Sequence, residues 1–194
     1  MDMSGSRRLA VSQQQAWDAL NDPEVLKACI PGCDRVEATG ENQYAIGMAV
    51  KIGPVSARFA GKIQLTDVLP PNSYTLNFEG QGGAAGFGKG SAKVNLAPPA
   101  EGAGCELTYT AQAQVGGKIA QVGQRLVDGV AKSMAEDFFK RFDAEMEQRH
   151  PQAYAAEAAL PPPTPAPSER KGVPAWVWAV VAVAIVAAVF LLRR

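Results

Sequence analysis

Residue types able to do chemistry are scarce in this sequence and poorly spaced for it. The only histidine in 194 residues, His150, falls where a long helical pattern gives way to a proline-rich stretch. A nucleophile–histidine–acid triad or a histidine-based metal site within the preceding residues therefore has no imidazole to use. Cys29 and Cys33 bracket an Ile-Pro-Gly turn, and with Cys105 they make an incomplete tetrahedral set. They read as small apolar residues, and a thiol nucleophile would lack a histidine base. The segment Gly80 to Gly90 (GQGGAAGFGKG) contains Gly83-x4-Gly88-Lys89, which has the outline of a phosphate-binding loop. Gly90 stands where that loop needs a hydroxyl for magnesium, and a strand pattern follows in place of a helix. Its glycines are expected to form a flexible lip between two strands, a cavity gate or a docking loop. Asp128, Glu136 and Asp137 flank an apolar helical stripe and are expected to be solvated. No catalytic residue and no metal ligand is assigned.

Elements that could position a binding site are far clearer. A short strand near Arg8–Val11 precedes a helix with Ser12 as N-cap and Gln15 three residues on. Trp17, Leu20 and Val25 supply apolar contacts around the break at Asp22–Pro23, and ACIPGCD ends in a turn. Strict alternation follows. Tyr44, Ile46, Met48, Val50 and Ile52 share one face of a strand. Val55, Ala57, Phe59, Gly61, Ile63 and Leu65 share one face of the next. The pattern repeats through Tyr74/Leu76/Phe78, Ala92/Val94/Leu96 and Cys105 to Val115, with polar residues opposite. Period two with one wet face predicts an antiparallel sheet. From Gly116 the period lengthens: Ile119, Val122, Leu126, Val130, Met134, Phe138, Phe142 and Met146 predict one helix of about 30 residues. At ~1.5 Å per residue it spans ~45 Å, enough to cross the sheet's inner face. The predicted class is α+β, with five or six strands curved around a long C-terminal helix.

Small inward residues (Ala57, Gly61, Gly80, Ala92, Ala111, Ala113) have two readings. They either allow close helix–sheet packing or leave a cavity for a flat or elongated apolar ligand. The candidate lining is Trp17, Met48, Phe59, Tyr74, Phe78, Tyr109 and Phe138, with Gly61, Phe87 and Val130 completing the set.

The composition, 47% hydrophobic with 19 basic and 19 acidic residues, conceals two unlike parts. Ala175 to Leu192 (AWVWAVVAVAIVAAVFLL) is apolar without a break, with Trp176 and Trp178 at one end and Arg193–Arg194 at the other. Eighteen residues of helix rise ~27 Å, close to the ~30 Å of a bilayer core. The charge divides as +3 from Ser168 onward and −3 before it. Neutrality overall gives no pull toward nucleic acid. The expected organisation is a folded domain over 1–149, a linker over 150–172 and a transmembrane anchor over 173–194. The proline-rich core of the linker favours extended polyproline II. No apolar stretch near the N-terminus resembles a secretory signal, so the domain is expected in the cytoplasm on a single-pass tail anchor.

Three segments together resemble the G-subunit family of carbon monoxide dehydrogenase. They are WDALNDPEVLKACIPGC (Trp17 to Cys33), GFGKGSA (Gly86 to Ala92) and GGKIAQVGQRLVDGVAKSMAEDFFKRF (Gly116 to Phe142). The linker and apolar tail match its membrane-anchored members. The resemblance implies a START-like (SRPBCC) helix-grip fold and a non-catalytic accessory role. Its implied partner is a molybdenum hydroxylase, carbon monoxide dehydrogenase or a relative, recruited to the inner face of the membrane. A respiratory quinone is the lipophilic ligand this setting suggests, with no resident cofactor. Two other readings stand beside it: a tethered START-like enzyme acting on an apolar substrate, and a structural anchor without a ligand.

Overall fold

The computed structural model describes residues 1–100 and 102–158, all within one unit, Met1–Leu160. Alternating side chains build seven strands: β1 (Asp2–Leu9), β2 (Cys33–Gly40), β3 (Gln43–Ile52), β4 (Val55–Leu69), β5 (Ser73–Gln81), β6 (Phe87–Ala97) and β7 (Cys105–Gly116). They form one open antiparallel sheet in the order β1-β7-β6-β5-β4-β3-β2. Strands β2 to β7 are a meander, and β1 closes onto β7. Two helices, α1 (Gln13–Leu20) and α2 (Pro23–Cys29), carry the chain from β1 across to β2 at the opposite edge.

Two strands differ from the sequence pattern. Strand β1 begins at Asp2, not Arg8, because β7 pairs with it from Gln112 to Cys105 whatever its own alternation. Strand β2, where the pattern predicts only a turn, has little apolar character of its own; Val36 is its only buried residue, and β3 supplies the ladder.

Local signals set the helix starts. The Ser12 hydroxyl accepts from the Gln15 backbone N–H, and the Gln15 side chain accepts from the Ser12 N–H at 2.9 Å. Asp22 caps α2, and Pro23 occupies its first turn, where a missing N–H costs nothing.

The long helix is interrupted. α3 (Lys118–Gln121) ends before Gly123, whose φ of +98° suits glycine and breaks the helical path; α4 (Gln124–Arg149) then starts afresh. This resets the helical phase. Val127 is buried, whereas Leu126, expected inside, is 41% exposed. A further helix, α5 (Pro151–Ala158), follows His150, and its Ala153 and Tyr154 pack on the core. The folded unit thus continues past residue 149, into the segment expected to be linker.

The main core joins α1, α2 and the C-terminal half of α4 to the sheet through Leu9, Val11, Trp17, Val25, Leu107, Phe142 and Met146. A second cluster, Ile52, Ala85, Ile119 and Val127, gathers at the other end of α4. This is the helix-grip arrangement. Among the described residues no helix is long and apolar enough to cross a membrane; the 175–192 run and the proline-rich core of the linker lie outside them.

Candidate functional site

Beside the second cluster, whose Ile52, Ile119 and Val127 line it, the sheet and α4 leave an apolar cavity of about 330 Å³. Register explains the gap. Gly61 of β4 pairs with Gly80 of β5, and Gly80 with Gly88 of β6, so three glycines lie abreast across the centre of the sheet. Ile46 and Val115 flank the row on β3 and β7. With no side chains to fill the space, the floor of the cavity is backbone. Its walls are Met48, Phe59 and Phe78 from the strands, with Val127, Val130 and Met134 from α4. A volume of this size falls within the range of small-molecule sites.

A smaller cavity of about 200 Å³ lies toward α1 and α2. Ile63 and Leu76 line both spaces and form the waist between them. Leu20, Tyr44, Tyr74, Tyr109, Phe138 and Phe139 also border the smaller space. Phe139 stacks on Tyr109 at 5.5 Å and meets Phe138 edge-on at 5.2 Å, so the helix side of this cavity is a braced aromatic wall. A larger hollow of about 810 Å³ involves the polar side of the sheet, with Gln64, Asn77, Lys89 and Gln112 in its lining, and offers no apolar enclosure.

The structure divides the ten candidate residues. Met48, Phe59, Gly61, Phe78 and Val130 line the larger cavity; Tyr74, Tyr109 and Phe138 line the smaller one. Two lie in neither. Trp17 is 8% exposed and packs edge-on against Tyr74 at 5.5 Å, as core beneath α1. Phe87 has the outward parity of Lys89 on β6 and is 45% exposed, because inward positions on that strand belong to Gly88, Gly90 and Ala92. Two further α4 residues line the larger cavity: Met134, which belongs to the predicted apolar stripe but is not a lining candidate, and Ala131, which the stripe leaves out and which sits one turn beyond Val127.

The glycine-rich segment is mostly strand, not lip. Gly80 lies in β5 and Gly88 and Gly90 lie in β6; only residues 82–86 turn, closed by a hydrogen bond from the Gly82 N–H to the Gly86 carbonyl at 2.8 Å. That segment holds one short 3-10 turn, Gly83–Ala85, and strand β6 follows it where a phosphate-binding loop would lead into an α-helix.

The thiols are separate and held neutral. Burial first, then Glu145, pushes the Cys29 thiol up to about 11, and burial raises Cys33 and Cys105 as well. Thiols in that state are poor nucleophiles at neutral pH. Among the described residues no three His, Cys, Asp or Glu side chains gather as a metal site. His150 sits at the C-terminal end of α4, its Nδ1 3.1 Å from the Gln15 amide nitrogen. It ties α4 to α1 and does not line the larger cavity. Asp128 accepts from Gln124 at 2.7 Å, and Glu136 and Asp137 are exposed.

Comparison with known proteins agrees with this architecture. A conserved protein from Geobacillus kaustophilus is 37% identical, with a TM-score of 0.71 over 77% of this chain and 97% of its own. A Thermus thermophilus protein (14% identical, TM-score 0.59, covering 77% of this chain and 99% of its own) shares the fold. So does an aromatase/cyclase from a Streptomyces species, at 12% identity and a TM-score of 0.58 over 77% of this chain and 94% of its own. No curated protein matches. The family model for the G subunit of carbon monoxide dehydrogenase (CoxG) matches residues 5–147, which contain all seven strands in whole or part and nearly all of α4. With that span matched and the helix-grip fold in place, the chain belongs to the CoxG family of carbon monoxide dehydrogenase subunits.

Proposed function

We propose that this chain is a non-catalytic accessory protein. It brings a molybdenum hydroxylase of the carbon monoxide dehydrogenase type to the cytoplasmic membrane and holds a lipophilic ligand, such as a respiratory quinone, in its cavity. The observation that carries this reading is the 330 Å³ space over the glycine row, walled mainly by apolar side chains and backbone. Such a space favours an apolar guest through the area it removes from water, at ~25 cal/mol per Å². Family membership supports the partner: the matching family is named for the dehydrogenase. An enzyme of that class must pass electrons to an acceptor, and the membrane acceptors are apolar quinones. The apolar run Ala175–Leu192 supplies the bilayer span, and the proline-rich segment before it the spacer.

Two measurements test the proposal. The dehydrogenase is fractionated from cells carrying the full chain or a chain lacking residues 175–194. It should move from the membrane to the soluble fraction when the tail is removed. A partner that stays membrane-bound without the tail refutes recruitment. Extraction and mass spectrometry of lipids copurifying with the full chain should show an apolar quinone; a ligand-inert protein refutes the cavity role.

A further inference from the structure

The two ends of α4 stand in opposite electrostatic surroundings. Around its last turns, where α1 and α2 pack, Asp18, Asp22, Glu24, Asp143, Glu145 and Glu147 outnumber Lys27, Arg141 and Arg149. Around its first turn the sign reverses. Three segments build that end: the β3–β4 turn over 51–57, the loop over 81–87, and 116–126, which holds α3. Together they contain Lys51, Lys118 and Arg125 and no acid. All three cations are exposed, and none forms an ion pair among the described residues. Neighbouring Arg58, Lys89 and Lys132 are offset by Asp34, by Glu79 across the β5–β6 ladder and by Asp128 one helical turn away.

Large apolar side chains are exposed among these cations. Leu126 rests on Gly53 of the β3–β4 turn, and the Phe87 ring covers the Gly116 backbone. Gly117 comes too close to Gly86 for either to carry a side chain, which ties the loop to α3. Phe87, α3 and Leu126 are therefore parts of one surface, which also exposes Pro54, Ala84 and Ala120. Apolar groups that project beside unpaired cations, with no acid among them, suit a lipid headgroup layer. The charges meet the phosphates and the apolar groups enter the interface. Under the reading above, the run 175–192 also holds a bilayer at high effective concentration on the same chain. Ala158 leaves the folded unit at the acidic end, and α4 is ~39 Å long. The fourteen residues 159–172 reach at most ~50 Å. Chain length thus leaves either end free to face a bilayer, and charge decides between them.

We propose that the end of the fold built by 51–57, 81–87 and 116–126 docks on an anionic bilayer. Lys51, Lys118 and Arg125 sit at the lipid phosphates, and Phe87 and Leu126 enter the interface. The acidic end, with α1 and α2, faces away from the lipid. The proposal goes beyond the recruitment reading and takes from it only the membrane span.

The test places the full chain in nanodiscs of phosphatidylcholine alone or of an equimolar mixture with phosphatidylglycerol, and follows lysine acetylation by mass spectrometry. Lys51 and Lys118 should acetylate about fivefold more slowly on the anionic discs, the weight of one cation at such a surface. Exposed Lys27, at the acidic end, should react equally on both, and high salt should remove the difference. Lys118→Gln/Arg125→Gln should weaken docking about 30-fold, read as lost protection of Lys51 in a protein that melts like wild type. An NBD dye on the Leu126→Cys thiol, in a Cys33→Ala background, should shift to the blue on the anionic discs. The same dye on Leu69→Cys, exposed at the opposite end, should not. Equal acetylation of Lys51 and Lys118 on the two discs, or protection of Lys27 in their place, would overturn the docking face alone. Protection that appears only when the purified dehydrogenase is added would make this a protein interface and overturn the lipid assignment. A chain that enters neither disc refutes the span and the docking together, a failure seen before any lysine is read.

Discussion

Replacing Val130 by tryptophan separates the cavity from the rest of the molecule. Val130 lies on α4 and lines the space of about 330 Å³, room for roughly ten waters at ~30 Å³ each. The added indole atoms enter emptiness, not protein. A buried tryptophan covers roughly 150–250 Å², so its gain over valine is at most about 2 kcal/mol at ~25 cal/mol per Å². Imperfect packing and lost rotamer freedom oppose that by about 1–3 kcal/mol. The variant should therefore melt within about 4 °C of wild type, at ~2–4 °C per kcal/mol for a domain of this size. Binding should respond very differently. An indole that displaces about 100 Å² of ligand contact removes about 2.5 kcal/mol, or roughly 60-fold in affinity.

The assay is equilibrium binding of a quinone probe, 2,3-dimethyl-1,4-naphthoquinone, beside a thermal melt. A Val130→Trp protein that melts like wild type and binds the probe undiminished would refute the assignment of this cavity as the site. Gly61, the position the alternation alone would nominate for blocking, is a poorer probe. A Cβ there would stand 2.7 Å from the Glu79 carbonyl oxygen on the neighbouring strand, so any side chain distorts the sheet. Gly61→Val should lose about 1–3 kcal/mol of stability, and its binding defect would report on the fold.

Four further outcomes are expected. Phe142 is fully buried and stacks on Phe138 at 5.9 Å; Phe142→Ala should cost about 3–5 kcal/mol and lower the melting temperature by about 10 °C. Cys29 and Cys105 should resist iodoacetamide until the protein unfolds, whereas half-buried Cys33 reacts first, as mass spectrometry of the labelled peptides would show. Because the folded Cys29 pKa is raised from 9.0 to about 11, the unfolded chain ionises first. Stability is then intact below pH 9 and falls as pH rises toward 11, by up to about 1.4 kcal/mol per unit from this thiol. Denaturant titrations at pH 8 and 10.5 should show the drop, and a Cys29→Ala background should show a smaller one, because Cys33 and Cys105 are shifted the same way. Arg149 bridges Asp22 at 3.0 Å and Glu145 at 2.7 Å near the surface; Arg149→Ala should cost no more than about 1 kcal/mol, shrinking in 1 M salt.

Side-chain period is enough to read most of the fold. Strands β3 to β7 follow from alternation, because successive residues in an extended chain face opposite ways regardless of partner. The cap at Ser12 is equally local: a hydroxyl and an amide three residues apart meet within one turn. Strand β2 escapes the pattern because only Val36 marks its inner face; what makes it a strand is β3 beside it. Residues 122–126 escape it too, because period counting assumes an unbroken helix and one glycine at φ +98° shifts the phase.

The site shows the same division. Which residues face inward is legible, and eight of the ten candidates do border a cavity. Trp17 and Phe87 fail for tertiary reasons: one is sealed by Tyr74, the other turned outward by the parity of β6. The apolar run of 175–192 and the near-absence of histidine are properties of the sequence by itself, and so is the alternation that demands a sheet with one apolar face. Whether the small residues close a gap or leave one is decided only by strand register. Gly61, Gly80 and Gly88 are far apart in the chain, and no local rule makes them neighbours. The antiparallel pairing of β4, β5 and β6 lines them up under α4, and the space they fail to fill is the cavity.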